Sequence, residues 1–333
     1  MNAEWETFLS SRQDLIDTST APPLTAGHSV NEKSLSPLTH LGVLKVSGKD
    51  AAKLLQGQIT CNVNDISETS SRIAAMCNPK GRAIATFLVV KKADFFLLVV
   101  PTDLSDTVKT KLKLYVLRSD VKIEEASDEY CIMGLSEHLP GSDSFVTEHL
   151  QNAIFVNLPE SSARKLVITD VDNAIQHWIR FADSEGYRAA SPAEWRYLDI
   201  VSGFPWVTAA TSEAFIQQML NLDKLGGISF NKGCYTGQEI IARTHYLGKI
   251  KRELWLAECQ SAQSPEPNTA VINLDTEGQD VVGTVVQSER VSGKPEYFML
   301  LIVLQIAETS YKTLGLTGDD QARLTLQKIT YDR

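Results

Sequence analysis

Two rhythms of hydrophobic and polar positions run through this chain, and where they change they mark its elements. Residues 1–35 hold little periodicity beyond a short helical stretch. They are rich in Ser and Thr and contain Pro22-Pro23, so a loosely attached arm is expected there. Residues 43–47 alternate and predict a strand, and residues 49–58 predict a helix that packs Ala51, Leu54 and Leu55, with Asp50 near its start. Residues 72–77 read as a short strand. Asn78-Pro79-Lys80-Gly81 reads as a turn, because Pro sets φ and Gly tolerates φ > 0. Residues 82–90 and 95–100 give two more strands of a hairpin-rich sheet. Leu104, Val108, Leu112 and Tyr115 recur at helical spacing and predict a helix over 103–117, followed by strands over 121–124 and 130–134.

A second series follows, with strands over 153–156 and 166–169 and a helix over 173–180. Residues 192–201 predict a helix with Ser191 as cap and Pro192 in its first position. Strands and helices mix here without regular β-α-β alternation, which argues for an α+β fold over a doubly wound sheet. From about residue 250 the pattern turns to short strands, over 254–257, 281–287, 298–306 and 322–326. Pro265-Glu266-Pro267-Asn268, Gly278 and Gly293-Lys294-Pro295 separate them, and a small C-terminal antiparallel barrel is expected. The organisation is therefore an arm over 1–35, an α+β region over 36–249 made of two subdomains, and a barrel over 250–333. A chain of 333 residues exceeds what one core supports, which agrees with several packed units.

Composition narrows the function classes. No apolar run approaches the ~20 residues that cross a bilayer, and the first twelve residues carry Glu4, Trp5 and Glu6 in place of a basic and then apolar leader. The five cysteines, Cys61, Cys77, Cys131, Cys234 and Cys259, are odd in number and never form a C-x-x-C pair. That disfavours a disulfide framework, a zinc ribbon or an intrinsic iron–sulfur cluster, so no resident metal and a cytoplasmic location are expected. No G-x-G-x-x-G or Walker loop is present. The net charge of −9 disfavours broad nucleic-acid binding. Within residues 224–252, however, Lys224, Lys232, Arg243, Lys249, Lys251 and Arg252 face only one acid, Glu239. This basic island is either a solvated face or a site for an anionic partner.

The sharpest chemical signal lies inside that island, at Lys232-Gly233-Cys234-Tyr235-Thr236-Gly237-Gln238-Glu239. Thr236 and Glu239 have capping-box spacing, with Ile240 and Ile241 beginning the helix body. A thiol beside a helix start and two residues from Lys232 is expected to favour the thiolate. Against this stands the commoner role of a lone cysteine as a small buried hydrophobe. His245 lies over two turns along the same predicted helix, badly placed to activate Cys234, and His177 is the other histidine weighed as a partner. Trp195 and Trp206 flank Gly203-Phe204-Pro205 and form either a stacking wall for a flat heterocycle or plain core. Gly226 and Gly227, in the run that leads to the cysteine, allow close backbone approach.

Gly226-Gly227-Ile228-Ser229-Phe230 and the cysteine octapeptide resemble the signature of the YgfZ family, folate-binding proteins related to the T-protein of the glycine cleavage system. The resemblance continues through Leu55-Gln56-Gly57-Gln58 with Thr60, the turn over 78–81 and Gly203-Phe204-Pro205, and it spans about residue 40 to the end. It implies an aminomethyltransferase-like α+β region that encloses a central channel with the barrel. It also implies tetrahydrofolate or a derivative as ligand, and a role in making or maintaining iron–sulfur enzymes, including those that modify tRNA. The family's folate-stacking tryptophan falls on Trp195. A second family tryptophan falls on Leu41, which removes one stacking surface. Gly226, Gly227 and Tyr235 are further candidate folate contacts. Related aminomethyltransferases place a carboxylate where this chain has Ala85 and Thr86, so aminomethyl transfer is the weaker expectation. A direct tRNA-binding module on the 224–252 island is the third.

Overall fold

The computed structural model describes residues 2–12, 33–140, 143–159, 162–306 and 313–331. Helix α1 (Ala3–Ser10) precedes strands β1 (Ser34–Pro37) and β2 (Leu41–Ser47) and helix α2 (Ala51–Gln56). Strands β3 (Arg72–Cys77), β4 (Ala83–Lys92) and β5 (Phe95–Pro101) then lead through helix α3 (Ser105–Lys113) to β6 (Lys122–Glu125). These build a five-stranded antiparallel sheet in the order β3-β4-β5-β2-β6. The first eight residues of β4, Ala83 to Val90, are all buried, because both faces of the sheet are covered.

A second sheet holds β7 (Cys131–Pro140), β8 (Thr147–Leu150), β9 (Ala153–Asn157), β10 (Ser162–Thr169) and β11 (Arg188–Ala189), in the order β11-β1-β7-β10-β9-β8. Its one parallel ladder joins Ser34 to Arg188 and Leu35 to Ala189. Helix α4 (Val171–Ile179) follows β10, with the Asp170 carboxylate accepting from the N–H of Asn173 at its start. Helix α5 (Pro192–Val201) follows β11. Its Ser191 cap accepts from the Glu194 N–H at 3.2 Å, as the sequence predicts.

After helix α6 (Gln238–Tyr246) come β12 (Arg252–Gln260), β13 (Ala270–Asn273), β14 (Val281–Arg290), β15 (Tyr297–Gln305), β16 (Leu314–Leu316) and β17 (Asp319–Gln327). They close as a barrel in the order β12-β15-β14-β13-β16-β17. One apolar core runs from β2–β5 through Trp195, Phe204 and Trp206 to Leu254, Val286 and Leu301 of the barrel. The α+β expectation with a closed antiparallel barrel therefore holds.

Several details differ from the sequence pattern. The start of the expected arm is docked: Trp5 of α1 is buried, its ring 5.8 Å from that of Trp178 in α4. The rest of the arm, over 13–32, lies outside the described residues. Strands β1, β8, β11, β13 and β16 carried no clear alternation and were not expected. The helix expected over 103–117 is α3 preceded by a 3-10 turn over Thr102–Leu104.

Candidate functional site: the cysteine loop and the neighbouring cavity

The octapeptide is held by backbone contacts to two distant segments. Gly237 takes a left-handed conformation with φ +82°, and an added Cβ would lie 2.6 Å from the Asn78 carbonyl and 3.0 Å from Gly81 Cα. Gly81 is also left-handed, and a Cβ there would meet Ile240 at 2.8 Å. The 78–81 turn and the cysteine loop thus pack glycine against glycine. The Thr236 N–H donates to Gly57 O and its hydroxyl to Gln58 Oε1, both at 3.3 Å. Upstream, the Thr60 hydroxyl donates to Gly227 O at 2.6 Å and accepts from the Ala75 N–H, while the Ser229 N–H donates to Thr60 O. A side chain at Gly227 would collide with Leu222 and Ile73, whereas Gly226 and Gly233 have open space. The segments that carried the family resemblance are therefore neighbours in space.

The expected capping box does not form. Helix α6 begins at Gln238 with left-handed Gly237 as its cap and no side-chain cap bond, and Glu239 is exposed in the first turn. The T-x-x-E spacing is present, but the Thr236 hydroxyl turns to Gln58. Lys232 also departs from its expected role. Its half-buried ammonium donates to Ile59 O and Cys61 O, both at 2.7 Å, and lies 4.9 Å from the Tyr235 ring centroid. Burial lowers its pKa to about 8, opposed by the nearby Cys61 and Cys77 thiols. Tyr235 is buried with no partner for its hydroxyl, and burial raises its pKa, with Cys77 adding to the shift.

Cys234 itself is exposed, and the other four cysteines are buried. Burial pushes each of those four thiols up to about 12. Neither histidine partners Cys234. His245 stacks on Phe230 with centroids 3.7 Å apart, and His177 sits between Phe155 and Phe181 with Nε2 against Gln151 O. Among the described residues no group of three metal-binding side chains comes together.

Trp195 is 1% exposed. A Cβ at Gly134 of β7 would strike its ring, and the Arg164 guanidinium lies 4.9 Å from its centroid. Arg164 is fully buried and pairs with Asp199 at 2.8 Å, and Asp199 in turn accepts from Trp206 Nε1 at 2.9 Å. Trp206 and Leu41 share a cavity of about 350 Å³ with His40, Arg196, Gln287 and Ser288, set where β2, α5 and the barrel strand β14 meet. Sequence reasoning did not find His40, Arg196, Gln287 or Ser288, since they lie up to 248 positions apart and carry no motif. At the start of β4, Ala85 and Thr86 are fully buried. The Thr86 hydroxyl ties the strand to Pro205 O and the Val207 N–H, and no carboxylate occupies either position.

Comparison with known proteins settles the family. A tRNA-modifying protein YgfZ from Colwellia psychrerythraea is 32% identical over 247 residues, covering 71% of this chain and 74% of the relative. The chain belongs to the YgfZ family. A YgfZ relative from an Enterobacter species, also named a tRNA-modifying protein, is 28% identical and covers 90% of this chain and 93% of its own. The GCVT N-terminal domain family matches residues 28–142. The glycine cleavage system aminomethyltransferase T from Bartonella henselae superposes with a TM-score of 0.64 at 11% identity, over 90% of this chain and 85% of that one. This YgfZ-family chain thus has the aminomethyltransferase fold. No helix among its described residues is long and apolar enough to cross a membrane.

Proposed function

We propose that this chain binds a reduced folate and supports the assembly or repair of iron–sulfur enzymes, and through them tRNA modification, with Cys234 as its reactive thiol. The observation that carries the reading is the cysteine loop. One thiol of five is exposed, on a loop braced against Gly57, Gln58, Asn78 and Gly81 of an aminomethyltransferase scaffold. The naming of the relatives supports the link to tRNA. The cavity beside Leu41 and Trp206 is the candidate folate seat, at a junction of units where ligand sites commonly form.

The test is activity of iron–sulfur tRNA-modifying enzymes in cells that lack this protein, complemented with wild type or Cys234→Ser. Wild type restores activity and Cys234→Ser does not. Equal restoration by both defeats the role of the thiol. Native-state alkylation should label one thiol quickly, and that label should vanish in Cys234→Ser.

Aminomethyl transfer is the less supported chemistry. General acid–base groups typically contribute ~100- to 10,000-fold in rate, and Ala85 and Thr86 offer none. Robust glycine-cleavage turnover by the purified protein would reverse that judgement. A direct tRNA contact has an observation of its own. Lys224 pairs with Glu253 and Lys232 turns inward, but Arg243, Lys249, Lys251 and Arg252 flank the exposed Tyr246 and Leu247. Such a contact predicts tRNA affinity that falls steeply with salt.

A further inference from the structure

Helix α6 runs out into a stretch of exposed residues, His245 to Lys249. Three rings gather there. His245 lies on Phe230 with centroids 3.7 Å apart and planes 16° from parallel, and Tyr246 stands edge-on to both, 4.8 Å from His245 and 6.2 Å from Phe230. Phe230 is half-buried and forms the base of the cluster, while Tyr246 is 63% exposed and its neighbour Leu247 85%. A single exposed apolar residue is ordinary. A tyrosine and a leucine side by side, next to a stacked pair of rings, make a patch of the kind that meets another molecule.

The charge around the rings narrows what that molecule is. Arg243, Lys249, Lys251 and Arg252 flank them, and none of the four has an ion-pair partner among the described residues. Arg243 sits in the last turn of α6, where the helix dipole favours a cation. Lys249, Lys251 and Arg252 lie beyond that turn, so the dipole does not account for them. Of the acids close by, Glu253 is paired with Lys224 at 3.2 Å and Asp223 is half-buried beside His245. Four unpaired cations in a chain of net charge −9 suit a polyanion. The rings favour RNA over an acidic protein, because bases stack on aromatic faces while their phosphates meet the cations. In a paired stem the base faces are already stacked on one another, so only an unpaired segment can use the rings.

We propose that Phe230, His245 and Tyr246 form a stacking platform for the unpaired bases of an RNA, with Arg243, Lys249, Lys251 and Arg252 on its phosphates. This rests on the direct tRNA contact considered above and names the part of the RNA taken: a single-stranded loop or end.

Fluorescence anisotropy on the full-length protein tests it, with a labelled single-stranded RNA of about ten nucleotides and the same strand paired to its complement. Wild type should bind the single strand roughly tenfold or more tightly than the duplex. Its log affinity should fall against log salt with a slope of about −3, from about 0.7 for each phosphate that the four cations meet. Tyr246→Ala should weaken the single strand about tenfold, and Tyr246→Phe should stay near wild type. Lys249→Gln combined with Lys251→Gln should reduce the slope by about 1.4. These side chains are exposed, and denaturant unfolding of each variant checks the fold. Equal affinity for the two RNAs, or unchanged affinity in Tyr246→Ala, overturns the platform while leaving a tRNA contact through the cations in place. Poly-L-glutamate that competes as well as RNA of equal charge assigns the face to an acidic protein and overturns the proposal. Wild type that binds neither RNA overturns both the platform and the tRNA contact.

Discussion

In the cysteine loop the groups that reach inward are mostly matched, and one thiol reaches out. Lys232 has two carbonyls, Thr236 has Gln58, and the glycines meet backbone. Around the Trp206 cavity the aromatic wall is pinned, yet His40 and Ser288 are shielded and unmatched. The loop leaves the Tyr235 hydroxyl unmatched inside and turns the Cys234 thiol outward. The two regions thus differ in what they turn outward: a thiol in one, a largely apolar cavity lining in the other.

The strongest way to break this contrast is to loosen the wall of the cavity. Asp199→Ala leaves the buried Arg164 without its carboxylate and frees Trp206 Nε1. A loss of about 3–5 kcal/mol is expected from denaturant unfolding, as for other broken buried pairs. A loss under ~1 kcal/mol would mean the pair is not what holds α5 against β10.

Within the loop, two glycines of one octapeptide should part company. Gly237→Ala forces a side chain into left-handed backbone against Asn78 O and should cost about 1–3 kcal/mol. Gly233→Ala meets open space and should stay within ~0.5 kcal/mol. Equal effects would show that the loop is not braced at its Gly237 end.

Lys232 gives a pH-dependent test. Its pKa of about 8 lies below the ordinary value of 10.5, so between these limits the unfolded chain holds the proton and the folded chain has released it. Stability therefore rises with pH through that window. The gap in unfolding free energy between wild type and Lys232→Gln should widen in favour of wild type from pH 8 to about 10.5. A gap that is flat or narrows would place the ammonium in water. The smallest effect belongs to Cys234→Ser, expected within ~0.5 kcal/mol of wild type because the side chain is exposed.

The sequence was most legible where local rules and tertiary demands agree. β3 and α5 match their expected bounds, since apolar runs and a Ser-Pro start leave little choice. Strands such as β11 and β16, of two and three residues, were illegible because the pairing partner, not the segment, defines them. The spacing within the octapeptide misled on its geometry. Thr236 and Glu239 have the right spacing for a cap, yet left-handed Gly237 sets the helix start. Lys232 is two residues from Cys234 in sequence, yet its ammonium belongs to Ile59 and Cys61, some 170 positions away. The cavity was unreadable for the same reason, as its polar residues come from three units of the fold.

The two-residue parallel ladder between β1 and β11 has a consequence for how the molecule is made. It aligns residues 34–35 with 188–189, and within a few residues those strands run on to His40 and Leu41 on one side and Arg196 on the other. Gln287 and Ser288 complete the cavity from near the end of the chain. Contacts of such long sequence separation are slow to form, because loop closure must be met before they stabilise anything. During synthesis the cysteine loop, whose partners all precede it, can assemble first. The cavity waits for the barrel, and a chain released before Ser288 has the cysteine loop but not the cavity.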